Sequence, residues 1–440
     1  MRLSLQFQEK KLPILFYILI PTLIVEVLLS NISDIISGQL ASPLGVILFI
    51  LIYSTAGVTQ YFILNIVIKK NKELKRDIFN AYLFEKTIAV VQYVLIAIIL
   101  FCVLQIILFS IYYTWLLIVS TTISYGVAAF VMGVLSFKLL SWFRSNRSLI
   151  VLFYSLGSIF ITINAVDTII FFDTILLGKQ LITSPQSEVV FASGFPLNTP
   201  MGVVTNIQTY SVIAYFILLW VGTAIVLHYN IQRIGKIRFY ALVSLPLIYF
   251  LSYYFTLYST LNPATPEPAD ESLLFLILIF GSAYIAGGVL IGLAFRSIAK
   301  AVHGSNIVRY YMMLTAYSFV LFFISASATL LQAPYPPYGL VNVSLVGLSS
   351  FLIFSGLHYS AVSMSQDVAL RRSVKKSTTK ELKVLDSIGT AQIQQEIEKK
   401  VLAATKLESE TLAKNSGIES SLSDVEIKQY MHEISKELKK

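Results

Sequence analysis

Charge is scarce in this chain. Asp, Glu, Lys and Arg make up 13% of its 440 residues, where soluble domains carry roughly 25%. So little charge cannot coat a water-soluble protein of this size. Cysteine is nearly absent: Cys102 stands alone, so no disulfide can form within the chain. The four histidines, His228, His303, His358 and His432, are not spaced with one another, with cysteine or with carboxylates as metal ligands are, so no metal is expected. The G-x-S-x-G elbow, the Walker loop, H-E-x-x-H and the kinase signatures are missing as well. No cofactor is expected, and nothing marks an enzyme. The net charge of +9 is split among short segments with no continuous basic groove, which excludes a nucleic-acid partner.

What fills the chain instead is ten apolar stretches, at 12–30, 43–68, 87–109, 115–137, 149–171, 212–230, 239–261, 273–295, 310–332 and 342–364. Each can cross about 30 Å of hydrocarbon as a helix. The runs are continuous, without the alternation of a barrel strand. The expected fold is an all-α polytopic bundle of about ten spans, residues 1–365, with a short helical tail, 366–440. The first run is too long for a signal peptide and is expected to stay as an anchor.

The connections alternate in charge. Arg2, Lys10 and Lys11, then Lys69 to Arg76 and Lys86, then Lys138, Arg144 and Arg147, then Arg233 to Arg238, then Arg296, Lys300 and Arg309 fall on one side, and Lys179 alone on the other. Basic loops stay cytoplasmic. Both termini are therefore expected in the cytoplasm, which requires an even number of spans, and the bilayer of the cell membrane is the expected surrounding. On the opposite side two stretches stand out: an outer loop expected over 172–211 and the Pro-rich acidic turn 262–271. The patterns Asn31-Ile-Ser33 and Asn342-Val-Ser344 match a glycosylation acceptor there, close to spans. A faint repeat is also legible. Ala129-xxx-Gly133 followed by Phe137-Lys138 parallels Gly288-xxx-Gly292 followed by Phe295-Arg296, which suggests a four-span parallel repeat, 43–171 against 212–332.

Glu26 is the one carboxylate well inside an expected span. A charge at that depth costs a few kcal/mol and marks a functional residue by default. With Pro21 behind it, it reads as a proton or cation site; the alternative is a shifted span with Glu26 solvated at the outer interface. Asn164 and Asp167 share a helix face and read either as the mouth of a solute site or as interhelical hydrogen bonding. Tyr249 and Tyr253, continued by Thr256 and Thr260, form one polar face; Thr315, Ser318, Ser325 and Thr329 form another. Such faces line a cavity for a modestly polar solute or pack helices through hydroxyls. Tyr112-Tyr113, Tyr310-Tyr311, Trp115 and Trp142 read as interfacial aromatic belts.

In the tail, Arg371, Arg372, Lys375 and Lys376 follow the last span, as both a stop-transfer flank and a contact for anionic lipid. Two amphipathic helices are expected beyond. The first, about 391–414, carries Ile393, Ile397, Val401 and Ala404, and Asn415-Ser416-Gly417 ends it. The second, about 424–439, starts from a Ser423/Glu426 capping box and carries Ile427, Met431, Ile434 and Leu438 as a stripe for a protein partner or a second copy. Here a resemblance enters. GLHYSAVSMSQDVALRRSVKK (356–376), LDSIGTAQIQQEIEKKVL (385–402) and LPLIYFL (245–251) are similar to multi-pass membrane proteins of ammonia-oxidising archaea, over about a tenth of the chain. That family has no assigned activity; the resemblance implies an archaeal cytoplasmic membrane and carries over no functional residues. Two functions stay open: a transporter-like protein for a small neutral or amphipathic solute, and a sensor or assembly subunit whose tail docks a partner.

Overall fold

The computed structural model describes residues 2–33, 37–74, 79–185, 199–229, 231, 235–260, 270–302, 305–328, 335–368, 370–371 and 383–416. Among these residues the chain forms twelve helices: α1 (Arg2–Asn31), α2 (Ser37–Leu40), α3 (Pro43–Leu74), α4 (Phe79–Phe109), α5 (Trp115–Ser145), α6 (Leu149–Leu177), α7 (Pro200–His228), α8 (Lys236–Thr260), α9 (Asp270–Ala301), α10 (Asn306–Ala326), α11 (Leu340–Gln366) and α12 (Lys383–Ser416). Each of the ten expected spans falls largely on one helix; the ninth, 310–332, runs past the end of α10 at Ala326. Among the described residues, nine stretches are long and apolar enough to cross a membrane by length and composition, and the seventh expected span lies on α8, a helix of 25 residues. Large apolar side chains such as Leu44, Leu51, Leu100, Phe130 and Phe137 face outward. Outside water, an apolar exterior over a hydrogen-bonded helical interior is the expected arrangement. The chain is an integral membrane protein.

The helices run longer than the apolar runs, because main-chain hydrogen bonds do not stop where hydropathy falls. The outer loop expected over 172–211 is shorter than that: α6 continues to Leu177 and α7 starts at Pro200. The start is written in the chain. The Thr199 hydroxyl accepts from the Gly202 N–H at 3.1 Å, and Pro200 takes the first helical position, where its missing N–H costs nothing. Between α4 and α5 the chain reverses through Ser110, which adopts a left-handed φ of 53°. Tyr112–Tyr113 then pairs antiparallel with Ile182–Thr183, and the Thr114 hydroxyl donates to the Gln180 carbonyl at 2.6 Å. This small ribbon ties the α4–α5 turn to the chain after α6.

The order of packing sets the site. Helix α11 touches α1, α3, α4, α5, α10 and α12, and every residue from Leu340 to Ser365 is buried. It carries seven serines, which is possible in a dry interior because a helical serine can bond its own preceding turn. Ser344 does so to Val341 O at 2.7 Å, Ser350 to Val346 O at 2.8 Å and Ser360 to Leu357 O at 2.8 Å. Small residues then let neighbours close in. The Ser124 hydroxyl of α5 donates to Val343 O at 2.6 Å and accepts from the Gly347 N–H at 3.1 Å, so it enters the helix's own ladder. Gly356 lies against the main chain of α10 at Tyr311 and Thr315. From the Gly356–Tyr311 approach, one and two heptads back along α11 and forward along the antiparallel α10 bring Ser318 level with Ser349 and Ser325 level with Asn342. The serine face of α10 is thus a packing seam against α11.

The tail helix begins eight residues earlier than the expected 391. Gly389 falls inside α12 and serves close approach: a Cβ there would lie 2.5 Å from Met364 Cγ and 3.1 Å from Met364 Cβ. The docked face is Val384, Leu385, Ile388 and Ala391, all buried, with Gln392 accepting from Trp142 Nε1 at 3.2 Å and Glu396 accepting from the Ser365 hydroxyl at 3.1 Å. The apolar spacing read over 391–414 does not continue that face: Ile397 and Val401 are exposed. Trp142, Tyr112, Tyr310 and Tyr311 are buried, so they are core residues and not a belt; Trp115 is exposed, 46%. We expect Gly389→Val to lift α12 from α11. Hydrogen exchange of amides 384–396 would then speed up while the bundle amides stay protected.

Candidate functional site

The polar interior is organised around α11, with one centre at each end. Glu26 of α1 is fully buried. Its Oε1 accepts from the N–H groups of Gly339 at 2.9 Å and Val341 at 3.1 Å. Its Oε2 accepts from the N–H of Asn342 at 3.0 Å and from Asn342 Nδ2. These are the orphan donors of the first turn of α11. The residue before that helix, Gly339, has a left-handed φ of 101° and no side chain to serve as a cap. Glu26 supplies the cap from another helix, with its carboxylate at the positive end of the helix dipole. Around it, the Tyr53 hydroxyl donates to Pro337 O at 2.5 Å and the Tyr338 hydroxyl to Gly45 O at 2.8 Å. Burial first, then the charge of Glu26, pushes the Tyr338 hydroxyl well above the ordinary phenol range, which keeps it a neutral donor. Glu26 is therefore inside the bundle and not at a solvated interface. The four donors aimed at it make it a tie between α1 and α11.

The second centre was not legible as a site. Glu85, on α4, is buried. Its Oε1 accepts from Asn71 Nδ2 of α3 at 2.9 Å and from the Tyr359 hydroxyl of α11 at 2.6 Å. Asn71 Oδ1 in turn accepts from the Tyr311 hydroxyl of α10 at 3.0 Å. One chain of hydrogen bonds thus joins four helices near the end that carries the Lys- and Arg-rich connections. The apolar run of the third expected span starts at 87, so Glu85 falls just ahead of it. The signal for an earlier start is Phe79, Tyr82 and Phe84, aromatic residues just ahead of Glu85 that continue the apolar run backward.

Asn342 and Tyr359 are about 25 Å apart along α11 at 1.5 Å per residue. Polar side chains occupy the space between the two centres. Gln92 of α4 donates to Ser344 O at 3.4 Å. Gln60 of α3 is fully buried, and neither its Oε1 nor its Nε2 makes a hydrogen bond. The Ser355 hydroxyl, one turn before Tyr359, is also buried without a partner.

The other expected site residues are dispersed. Asn164 Nδ2 of α6 donates to Gln208 O at 3.4 Å and Ser211 Oγ at 3.2 Å on α7, and Gln208 Nε2 returns a bond to Thr168 Oγ1 at 3.2 Å. These are bonds between two helices. Asp167 is half-buried beside them, and its Oδ2 has no hydrogen-bond partner. Ser318 Oγ bonds its own turn at Leu314 O, 2.6 Å, while the buried Ser325 Oγ has no partner; both lie on the α10–α11 seam. Tyr249 and Tyr253 lie on α8, and their side chains are outside the described residues. Arg371 is half-buried just after α11; Arg372, Lys375 and Lys376, and Ile427, Met431, Ile434 and Leu438, lie outside the described residues. Asn31 and Asn342 of the two glycosylation patterns are buried, so neither presents its amide to an enzyme. No protein-family model, curated protein or solved structure matches this chain.

Proposed function

We propose that this membrane protein is transporter-like and binds or moves a small neutral or amphipathic solute along α11. The observation that carries the reading is the enclosed helix itself, with a buried carboxylate centre near each end and side-chain amides and hydroxyls between. Polar groups inside a membrane bundle are costly and mark solute or ion paths. The amides of Gln60 and Gln92 suit a solute without net charge. In this reading the basic connections face the cytoplasm, both termini with them, and the membrane is an archaeal cytoplasmic membrane.

The test is a melting screen of the purified protein against neutral and amphipathic solutes. A solute at 100 times its Kd stabilises by about 2.7 kcal/mol. We expect at least one to raise the melting temperature of the wild type and to lose that effect in Tyr359→Phe. Absence of any stabilising solute across a broad panel, with the protein intact, would remove the reading.

A second reading, a sensor or assembly subunit, is favoured by the exposed Ile397, Val401 and Leu407 on the far half of α12. Because the near half is docked on the bundle, cutting the chain after Lys383 would disturb the core. Substituting Ile397 and Leu407 by Asp leaves the docked face intact. A protein that co-purifies with the wild type and is lost from that variant would support this reading.

A further inference from the structure

We propose that Gln60 is the solute-contacting residue of the α3/α4/α11 interior, and that the ligand class is a small neutral molecule with both a hydrogen-bond donor and an acceptor, such as a carboxamide or urea. This rests on the transporter-like reading and adds the site and the chemistry. A buried primary amide offers two donors and an acceptor, and in native interiors such groups are nearly always satisfied. Gln60 is fully buried with both ends unmet. It sits on the inward stripe of α3 with Tyr53, Ala56, Ile63 and Leu64, all buried. The α3–α4 register is set by Asn71 with Glu85 and by Tyr93 with Asn65. On that register Gln92 lies about four to six residues along from the level of Gln60, roughly 6–9 Å at 1.5 Å per residue, and its own bond to Ser344 O is long, 3.4 Å. Two amides from adjacent helices thus lie in one interior, about one to two turns apart along its axis, and the one at Gln60 is open at both ends. A neutral amide does not repay the desolvation of an ion, so the ligand they fit is uncharged. A carboxamide or urea returns an acceptor to Nε2 and a donor to Oε1, which is what Gln60 lacks.

The test uses the full chain in proteoliposomes and nanodiscs. Urea entry is followed by stopped-flow light scattering, and contact with acetamide by saturation transfer to its methyl protons. We expect wild-type vesicles to equilibrate urea several-fold faster than empty ones, Gln60→Leu vesicles to match empty ones, and the acetamide signal to vanish in Gln60→Leu. Gln60→Asn, which keeps an amide, is expected to retain part of both. Equal urea entry and equal acetamide signal in wild type and Gln60→Leu would overturn the Gln60 site and leave the transport reading standing. Acetamide contact that depends on Gln60 without any urea entry would keep the site and remove transport. Neither signal in the wild type would overturn both, a buried water being then the occupant of Gln60. Size exclusion and melting of Gln60→Leu confirm that it folds.

Discussion

Replacing Glu26 with leucine is expected to destabilise the protein more than any other single change considered. The three main-chain N–H groups at the start of α11, and the Asn342 amide, would lose their acceptor inside the bundle. Each unmet buried donor costs about 1–3 kcal/mol, so the main-chain donors alone amount to about 3 kcal/mol at the low end. Leucine fills similar space, which isolates the hydrogen bonding from packing. Glu26→Gln keeps one acceptor oxygen but turns an NH2 toward donors, so it is expected to fall between wild type and Glu26→Leu. Glu26→Asp is one methylene shorter and is expected to lose part of the contact. Scanning fluorimetry in mild detergent orders the series. A Glu26→Leu protein that melts with the wild type would show that α11 starts without this cap, and would reopen Glu26 as a residue held for ion chemistry.

Gly356→Leu carries the second large effect. A Cβ at this position would lie 2.9 Å from the Tyr311 carbonyl oxygen and 3.0 Å from the Thr315 nitrogen. Both belong to the main chain of α10, which cannot rotate aside as a side-chain tip can. Overpacking of a core costs about 1–3 kcal/mol even where side chains can shift; here the whole α10–α11 seam must part, and with it the level of Tyr311 and Tyr359 beside Glu85. We expect reduced yield of folded protein and a lower melting temperature, with faster exchange of α11 amides. The controls are Gly57→Ala on α3 and Gly126→Ala on α5, where nothing lies within 4 Å of an added Cβ. Each is expected to gain about 0.5–1 kcal/mol, the ordinary advantage of alanine over glycine inside a helix. If Gly356→Leu behaves like these two, the seam is looser than its geometry states.

The two substitutions bear on function through the same helix. Glu26 fixes where α11 begins; Gly356 fixes how closely α10 lies against it. Between them Gln92 reaches Ser344, and just past Gly356 Tyr359 reaches Glu85. A shift of about one turn along α11, 5.4 Å, would separate that pair, so the stability of the helix and the integrity of the polar interior are expected to fail together in Gly356→Leu. In Gln60→Leu they should part: the unmet amide is gone, stability is kept or raised, and solute handling is lost.

A helical membrane protein is legible in the apolar runs alone. Hydropathy over about twenty residues is a local quantity, as is the basic character of alternate connections. Glu26 stands out in the same way, since a carboxylate in an apolar run is visible without a partner. Which helix is enclosed, and what each polar group meets, comes from packing and not from any local pattern. The run 342–364 reads like any other span, because hydropathy does not separate a face toward lipid from a face toward another helix, both being apolar. The serines of α10, the Asn164 pair and Gly389 inside the tail helix likewise take their meaning from neighbours far away in sequence. Glu85 was hidden by the charges next to it in the chain, and its centre exists only where α3, α4, α10 and α11 converge, through contacts between residues as far apart as Asn71 and Tyr311. Pairwise contacts of that range are set by packing, which no local pattern encodes.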